Sequence, residues 1–367
     1  LTVFEKLKKA VNEGYFEELI RKYLLENPHG CIMTLVPKKG LAAQREKELE
    51  EKLEAYRSSL SEEQLDAMVE KTKALEAYQE AGEDPKALEC IPMLKRSDIK
   101  REAAKIINEE LTVDDSLFLY HDVCTNGIGY VDLMFKTDSI APEQIPYLGL
   151  LKSVLGYVDT ENYTYGELFN EINANTGGIN CGVEVFDRAD STEEFQAMFS
   201  VRGKALYTKM DFLFKMIGEI LNSSKLEDTK RLYEIVASVK SRAQVNLTGA
   251  GHSTAVLRAA AYSSPMAAFQ DEMAGIGYYQ FIEKLEKDFE QRKEETVEEL
   301  CKLMKKILRP ENFMISYTGE RESLETVQKL AGAVKAGLGT EPVEKSEEKL
   351  TCTKKNEGCL LYTSPSP

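Results

Sequence analysis

Apolar residues recur at helical spacing near the start of the chain, so residues 4–26 are predicted to form helix. The Asn-Pro-His-Gly sequence at 27–30 is a typical helix stop, and the apolar run at 31–36 predicts a short buried strand. We interpret these two elements as the last helix and strand of a domain whose beginning is absent.

The next segment has a different pattern, because half of residues 41–58 are charged while leucines and a tyrosine recur every three or four positions. Ser61 and Gln64 have the spacing of a capping box, which predicts the start of a second helix with its own apolar stripe. Two charged helices joined by a Ser-rich turn predict an antiparallel helical hairpin with a narrow apolar seam. It has too few heptads for an independent coiled coil, so we expect a linker over residues 38–105.

Strand patterns begin at about residue 113. Segments 116–123 and 128–135 are strand-like, and the Cys-Thr-Asn-Gly sequence between them is typical of a hairpin turn. Pro142 suits the first turn of a helix that is apolar nearly all round as far as residue 155, which predicts a buried helix. A second capping box, Thr164 with Glu167, opens a helix that should end at the Gly-Gly pair 177–178.

The remaining pattern alternates pairs of strands with groups of helices. Alternating apolar residues over 179–185 and 195–201 predict two antiparallel strands. Further helices are predicted over 206–222, 226–247, 265–289, 292–308 and 321–335, with a strand at 313–318 before the last of them. This order indicates an α+β fold with one mostly antiparallel sheet and helices on one face.

Composition narrows the class of protein. A formal net charge of −15 argues against nucleic-acid binding, which needs a basic surface. No apolar run approaches the ~20 residues that cross a bilayer, so we expect no membrane contact and a cytoplasmic location. The seven cysteines are scattered without C-x-x-C spacing, which favours reduced thiols over a zinc knuckle or a disulfide framework.

Candidate catalytic residues are few. The three histidines, His29, His121 and His252, are too far apart for H-x-x-x-H or H-x-x-E-H, so no zinc site is predicted from this chain. Ser253 lies in a partial match to the G-x-S-x-G nucleophile motif, but the sequence before it is helical, and we interpret it as part of a glycine-rich turn between helices. Cys124 is three residues from His121, a separation that places strand side chains on opposite faces.

Two other features have structural interpretations as well as functional ones. The Gly-Ile-Gly sequence at 127–129 lacks the third glycine and the helix of a dinucleotide site, and is interpreted as a turn. Tyr157, Tyr163 and Tyr165 could line a peptide groove, although loop and core packing is the commoner role for such tyrosines.

Four segments together carry a resemblance to a known family: TNGIGYVDLMF, IPYLGLLKSVLG, YTYGELFNEINANTGGI and GAGHSTAVLRAAAYSSP. In this order they resemble the third domain of presequence-protease-like zinc peptidases of the pitrilysin/insulinase superfamily, over roughly residues 1–340. The resemblance implies an α+β domain of the LuxS/MPP-like metallohydrolase type, preceded by the helical hairpin. In such enzymes two halves, each of two homologous domains, close around an unfolded peptide.

The resemblance also implies a domain plan. Residues 1–37 correspond to the end of the second domain, 38–105 to the hairpin, and 106–335 to the third, non-catalytic domain. Residues 336–367 would start a linker and end in the unrelated CLLYTSPSP tail, which we expect to be foreign sequence. The family's zinc ion is bound by the first domain, and a Tyr and an Arg of the fourth domain assist catalysis.

No catalytic, cofactor-binding or metal-binding residue is assigned in this chain. The third domain is a degenerate copy of the first, and the alignment places Pro146, Gly149 and Leu150 where the ligands and base of H-x-x-E-H would lie. None of these residues binds zinc or moves a proton. We therefore expect a hinge and chamber wall of a peptidase that degrades short unstructured peptides.

Two alternatives stay open at this point. The whole protein could be a catalytically inactive binding or assembly subunit, which the presence or absence of H-x-x-E-H upstream would decide. A helical scaffold protein is the third possibility, and it depends only on residues 41–80. The expected partners are a peptide substrate and the N- and C-terminal domains of the same chain, without nucleic acid or membrane.

Overall fold

The computed structural model describes residues 2–343 together with 346, 350 and 352, apart from the side chain of Thr192. The chain divides into two compact units between Glu102 and Ala103. The first unit is helical and the second contains the sheet. The predicted CLLYTSPSP tail lies outside the described residues.

The first unit contains five α-helices and two short helical turns. The helices are α1 (Thr2–Val11), α2 (Tyr15–Ile20), α3 (Leu41–Ser59), α4 (Glu62–Glu80) and α5 (Pro85–Leu88), with a π-helical turn at Arg21–Leu25 and a 3-10 turn at Arg96–Asp98. The predicted capping box opens α4, because the Gln64 amide donates to Ser61 Oγ over 3.3 Å and the Ser61 amide donates to Gln64 Oε1 over 2.9 Å.

Three predictions for this unit need correction. Helix 4–26 is interrupted at Gly14, whose φ of 73° lies in the left-handed region that breaks a helix. Residues 31–36 do not form a strand, because the described part of this unit offers no second strand to accept their backbone hydrogen bonds. The expected burial of the α3 and α4 stripes is also absent, and Leu53, for example, is 58% exposed.

The second unit is built on a six-stranded sheet. Its strands are β1 (Glu109–Val113), β2 (Ser116–Asp122), β3 (Ile128–Lys136), β4 (Ile179–Arg188), β5 (Ser191–Leu206) and β6 (Phe313–Gly319). They lie in the order β1-β2-β6-β3-β5-β4, and only the β2–β6 pair is parallel. The predicted α+β class with a mostly antiparallel sheet is confirmed, and this sheet rejects an all-helical scaffold.

Nine α-helices complete the described part of this unit. They are α6 (Ile145–Val154), α7 (Tyr165–Asn175), α8 (Met210–Ser223), α9 (Thr229–Gly249), α10 (Gly251–Ala260), α11 (Pro265–Ala274), α12 (Ile276–Lys287), α13 (Phe289–Ile307) and α14 (Leu324–Ala336). A 3-10 turn at Pro142–Gln144 leads into α6, and the predicted Thr164–Glu167 capping box opens α7.

The core lies between one face of the sheet and these helices. Alternate residues of each strand point inwards, as in β6, where Phe313, Ile315 and Tyr317 are buried and the residues between them are half-buried. Fully burying one such side chain contributes about 1.5–3 kcal/mol, so the apolar alternation dictates which face meets the helices. The opposite face carries Tyr130, Asp132, Arg202 and other polar residues.

The strand order contradicts one sequence prediction. Segments 116–123 and 128–135 are strands, but they do not pair as a hairpin, because β6 lies between them. The turn signal itself is real, since Asn126 and Gly127 both have positive φ. It forms a wider loop that crosses the end of β6. A local pattern cannot report a strand that inserts from nearly 200 residues further along the chain.

Smaller differences have local causes. The polar strand β1 was not predicted, because as an edge strand it lacks an apolar run. Helix 265–289 is split at Gly275 into α11 and α12, and the predicted glycine-rich turn at 251–255 is instead the first part of α10. Only Ala250 separates α9 from α10, so the turn between these helices is shorter than expected.

Candidate functional site

Helix α6 contains the three residues that the resemblance sets against the zinc motif. Pro146, Gly149 and Leu150 are all buried, within a helix that is enclosed on nearly every side. A Cβ atom on Gly149 would lie 2.5 Å from the Met273 carbonyl oxygen and 2.8 Å from a ring carbon of Tyr278. No group of three or more His, Cys, Asp or Glu side chains among the described residues could hold a metal ion. In this chain α6 serves packing.

A cleft of about 800 Å³ lies beside the C-terminal end of α6. Strand β4 forms one wall, and α7 and α9 contribute the others, with Phe169 from α7 and Ile235 from α9 in the lining. Strand β4 is the last strand of the sheet, so its outer edge has no neighbouring strand. The cleft therefore combines an apolar lining with a free strand edge.

Two cations of the cleft have no counter-ion. Glu184 pairs with Arg202 at 3.1 Å and Glu234 pairs with Arg231 at 2.9 Å, so both acidic residues of the lining are already engaged. Within the described chain, Lys152 and Arg242 make no ion pair or hydrogen bond. Burial lowers the pKa of Lys152, and the charge of Glu184 opposes this shift.

The face of the sheet that points away from the helices carries a second, polar groove of about 440 Å³. Arg202 Nε donates to Asp132 Oδ2 over 2.7 Å, and Arg202 also reaches Glu184. Burial raises the pKa of Asp132 although the Arg202 hydrogen bond lowers it. Tyr130, Lys204 and other polar residues line the rest of the groove, which suits contact with hydrated or peptide groups.

The loop between β2 and β3 is fastened by one carboxylate. Glu320, just after β6, accepts backbone hydrogen bonds from Thr125 at 2.9 Å, Asn126 at 3.0 Å and Gly127 at 3.4 Å. The Tyr207 hydroxyl also donates to this carboxylate. Hydrogen bonds to the charged form, that from Tyr207 foremost, lower the pKa of Glu320 to about 2. This arrangement positions the loop and is structural.

The other candidates from the sequence do not assemble into a catalytic site. Ser253 is exposed on α10, which follows helix α9 and not a strand, so the nucleophile motif lacks its required context. The ring of His121 contacts the Ile107 carbonyl at 2.7 Å and Ser316 Oγ at 3.1 Å, while Cys124 lies in the exposed loop. The geometry offers no nucleophile–base pair here.

The tyrosine run divides between the two roles considered for it. Tyr157 lines the cleft, Tyr163 packs against the core, and the guanidinium carbon of Arg231 lies 3.9 Å from the centre of the Tyr165 ring. The cleft cations Lys152 and Arg242 were not singled out from the sequence. A lysine within an otherwise apolar helix was the available signal, since such a residue must either reach solvent or serve a purpose.

Comparisons with known proteins establish the family. A sequence model for the region associated with peptidases of family M16, subfamily C, matches residues 35–285. The chain belongs to this peptidase-associated family, and the resemblance to presequence proteases is confirmed.

The relatives include Protein HypA of Clostridium perfringens, which is 35% identical over 356 residues, covering 97% of this chain and 36% of the relative. Presequence protease 1, chloroplastic/mitochondrial, of Arabidopsis thaliana is 28% identical over 324 residues, covering 88% of this chain and 30% of the relative. The chain thus spans about a third of the length of these curated relatives.

Among solved structures, a peptidase M16 inactive domain from Pseudomonas fluorescens has 15% sequence identity and a TM-score of 0.45, covering 66% of this chain and 54% of that chain. No helix of the described chain is long and apolar enough to cross a membrane. The cytoplasmic location stays a prediction, since several relatives are named mitochondrial or chloroplastic.

Proposed function

We propose that this chain is the central, non-catalytic part of a longer zinc metalloendopeptidase that degrades short unstructured peptides inside a closed chamber. Residues 1–37 would close its second domain, 38–105 would form the hinge, and 106–335 would form a wall of the chamber. The zinc ion would be held by a domain outside this chain. The cytoplasmic location belongs to the same proposal.

The observation that carries this proposal is the state of α6 in a chain of this peptidase-associated family. The segment that the resemblance aligns with the zinc motif is occupied by Pro146, Gly149 and Leu150, which are buried by neighbouring helices. A catalytic zinc site needs three protein ligands and an open position for water. Residues of this kind in this environment supply neither.

The physical logic of a closed chamber is selection by size. A peptide that fits the enclosed volume lets the two halves meet and complete the active site, whereas a folded protein holds them apart. The polar groove around Asp132 and Arg202 supports a wall that faces a hydrated peptide. A wall of this composition contacts many sequences without strong preference.

The test uses the complete gene product. We expect it to bind stoichiometric zinc and to cleave a quenched unstructured peptide, and to leave the same cleavage sequence intact within a stably folded protein. A metal chelator should abolish cleavage, and added zinc should restore it. The inactive binding or assembly subunit is the alternative, and a folded gene product without zinc and without cleavage would replace our proposal with it.

A further inference from the structure

We infer that the cleft between β4, α7 and α9 binds an extended peptide segment with an acidic side chain, added as a further strand to the free edge of β4. The inference adds a peptide-binding site to the proposed function and rests on that function only for the ligand being a peptide. It assigns no catalysis to the cleft.

The free edge is the first observation. Strand β4 pairs with β5 on one side, and in the described part of the chain its backbone groups from 179 to 187 make no hydrogen bond to anything else. An unpaired strand edge is a template for another extended segment, and native proteins usually block such edges with charges, proline or a covering element. Residues 179–183 of β4 carry no charge and no proline.

The second observation is the room beside this edge. The cleft holds about 800 Å³, and its lining includes inward-facing Cys181 and Val183 of β4 with Ile172 and Ile235 opposite. Burial raises the pKa of the Cys181 thiol to about 12, so this residue is a neutral, apolar part of the wall. In strand addition the backbone supplies affinity, and pockets for alternate side chains supply specificity.

Charge decides which peptide fits. Lys152 and Arg242 are the cleft cations without a counter-ion among the described residues, whereas the acidic residues Glu184 and Glu234 are already paired. An acidic side chain would complete this arrangement, although the protein as a whole is strongly acidic. Glu184, whose charge acts on Lys152, lies near the middle of β4, so the strand continues on both sides and suits an internal acidic residue of the peptide.

A buried hydroxyl lies close to the same cations. Tyr278 is 6% exposed, and its hydroxyl has no partner at hydrogen-bonding geometry within the described residues. Burial raises its pKa, while Ser153 and Arg242, which both line the cleft, act in the opposite direction. A buried polar group without a partner costs stability, and a bound ligand would remove this cost.

The experiment measures peptide binding to the 367-residue chain by fluorescence anisotropy. The probe is a labelled ten-residue peptide of alternating valine and threonine with a central glutamate and blocked termini. A second peptide carries glutamine in place of the glutamate. We expect the glutamate peptide to bind about tenfold more tightly, since one ion pair in a partly buried site contributes this much.

Protein variants assign the effect to the cleft. Lys152→Met should remove the preference for glutamate, while Lys287→Met, the same change at an exposed position on α12, should leave it unchanged. Circular dichroism and thermal unfolding confirm that each variant is folded. Two further peptides are N-methylated on alternate amides, and only the set that faces β4 should lose binding, because a solvent-facing amide donates nothing to the edge.

Several outcomes would overturn the inference. Equal binding of the glutamate and glutamine peptides would remove the assigned chemistry, and retained binding of both N-methylated peptides would exclude strand addition. Absence of binding at about 1 mM peptide to the folded chain would exclude the site. Concentration-dependent dimerisation weakened by Lys152→Met, without peptide binding, would assign the edge to a second copy. None of these outcomes depends on zinc or cleavage, so the proposed peptidase function is tested separately.

Discussion

The carbonyl oxygen of Met273 lies so close to Gly149 that a Cβ atom on this glycine would approach it to 2.5 Å. Helices α6 and α11 therefore meet through backbone atoms, and a side chain on Gly149 would force them apart. The resemblance sets this position in the region of a metal-binding motif. In this chain the contact makes α6 an internal packing element.

Replacing Gly149 tests this contact. Gly149→Ala should lower the free energy of unfolding by about 1–3 kcal/mol, because overpacking displaces the Met273 backbone and the Tyr278 ring. Urea unfolding followed by circular dichroism measures the change. Gly218→Ala is the matched control, since Gly218 is also helical and has open space around its Cβ position; it should stabilise by about 0.5–1 kcal/mol. Equal effects of the two changes would refute close packing at Gly149.

A buried ion pair holds the turn between α11 and α12. The Asp271 carboxylate is almost fully buried, bonds Arg258 of α10, and accepts backbone hydrogen bonds from Ile276 at 3.0 Å and Gly277 at 3.2 Å. Asp271→Ala should cost about 3–5 kcal/mol, because it removes the carboxylate that neutralises the buried guanidinium. Thermal and urea unfolding measure the loss.

The exposed pair of Glu325 and Lys329 provides the comparison, since both side chains are more than two-thirds in solvent. Glu325→Ala should change the free energy of unfolding by less than about 1 kcal/mol. A similarly small effect of Asp271→Ala would contradict the structural role given to the buried pair.

The Glu320 carboxylate predicts an acid dependence of stability. Its pKa is about 2 in the folded chain and about 4.3 in an unfolded one, so folding favours the charged form. The resulting stabilisation is fully present above pH ~4.3 and is lost as the pH falls towards 2. Wild type should therefore exceed Glu320→Gln in stability at pH 6, and the difference should shrink by pH 3. Urea unfolding at several pH values tests this, and a difference that grew on acidification would contradict it.

The unpaired Lys152 should lower the stability of the free chain. Because burial lowers its folded pKa, the unfolded chain holds more protons, and stability should rise as the pH increases from about 8 towards 10. Lys152→Met should lack this rise and be more stable at pH 7 by about 0.5–2 kcal/mol. Denaturant unfolding at pH 7 and 9.5 measures both effects. A destabilised Lys152→Met variant would show that the lysine is structurally satisfied.

Local physics explains which features were predictable from the sequence. The Ser61 and Thr164 capping boxes depend on residues three positions apart, and the apolar character of α6 is visible along its own length. The insertion of β6 between β2 and β3 depends on pairing across nearly 200 residues, which no short pattern contains. The cleft has the same property, because Lys152 and Arg242 come from separate helices and meet only in the folded domain.

The account depends most on the absence of a metal-dependent active site from this chain. The direct measurement is zinc content by mass spectrometry after incubation with excess zinc and dialysis, combined with cleavage of a quenched unstructured peptide by the same sample. We predict that the folded 367-residue chain retains no stoichiometric zinc and cleaves nothing. Stoichiometric zinc, or cleavage that a chelator abolishes, would contradict the account.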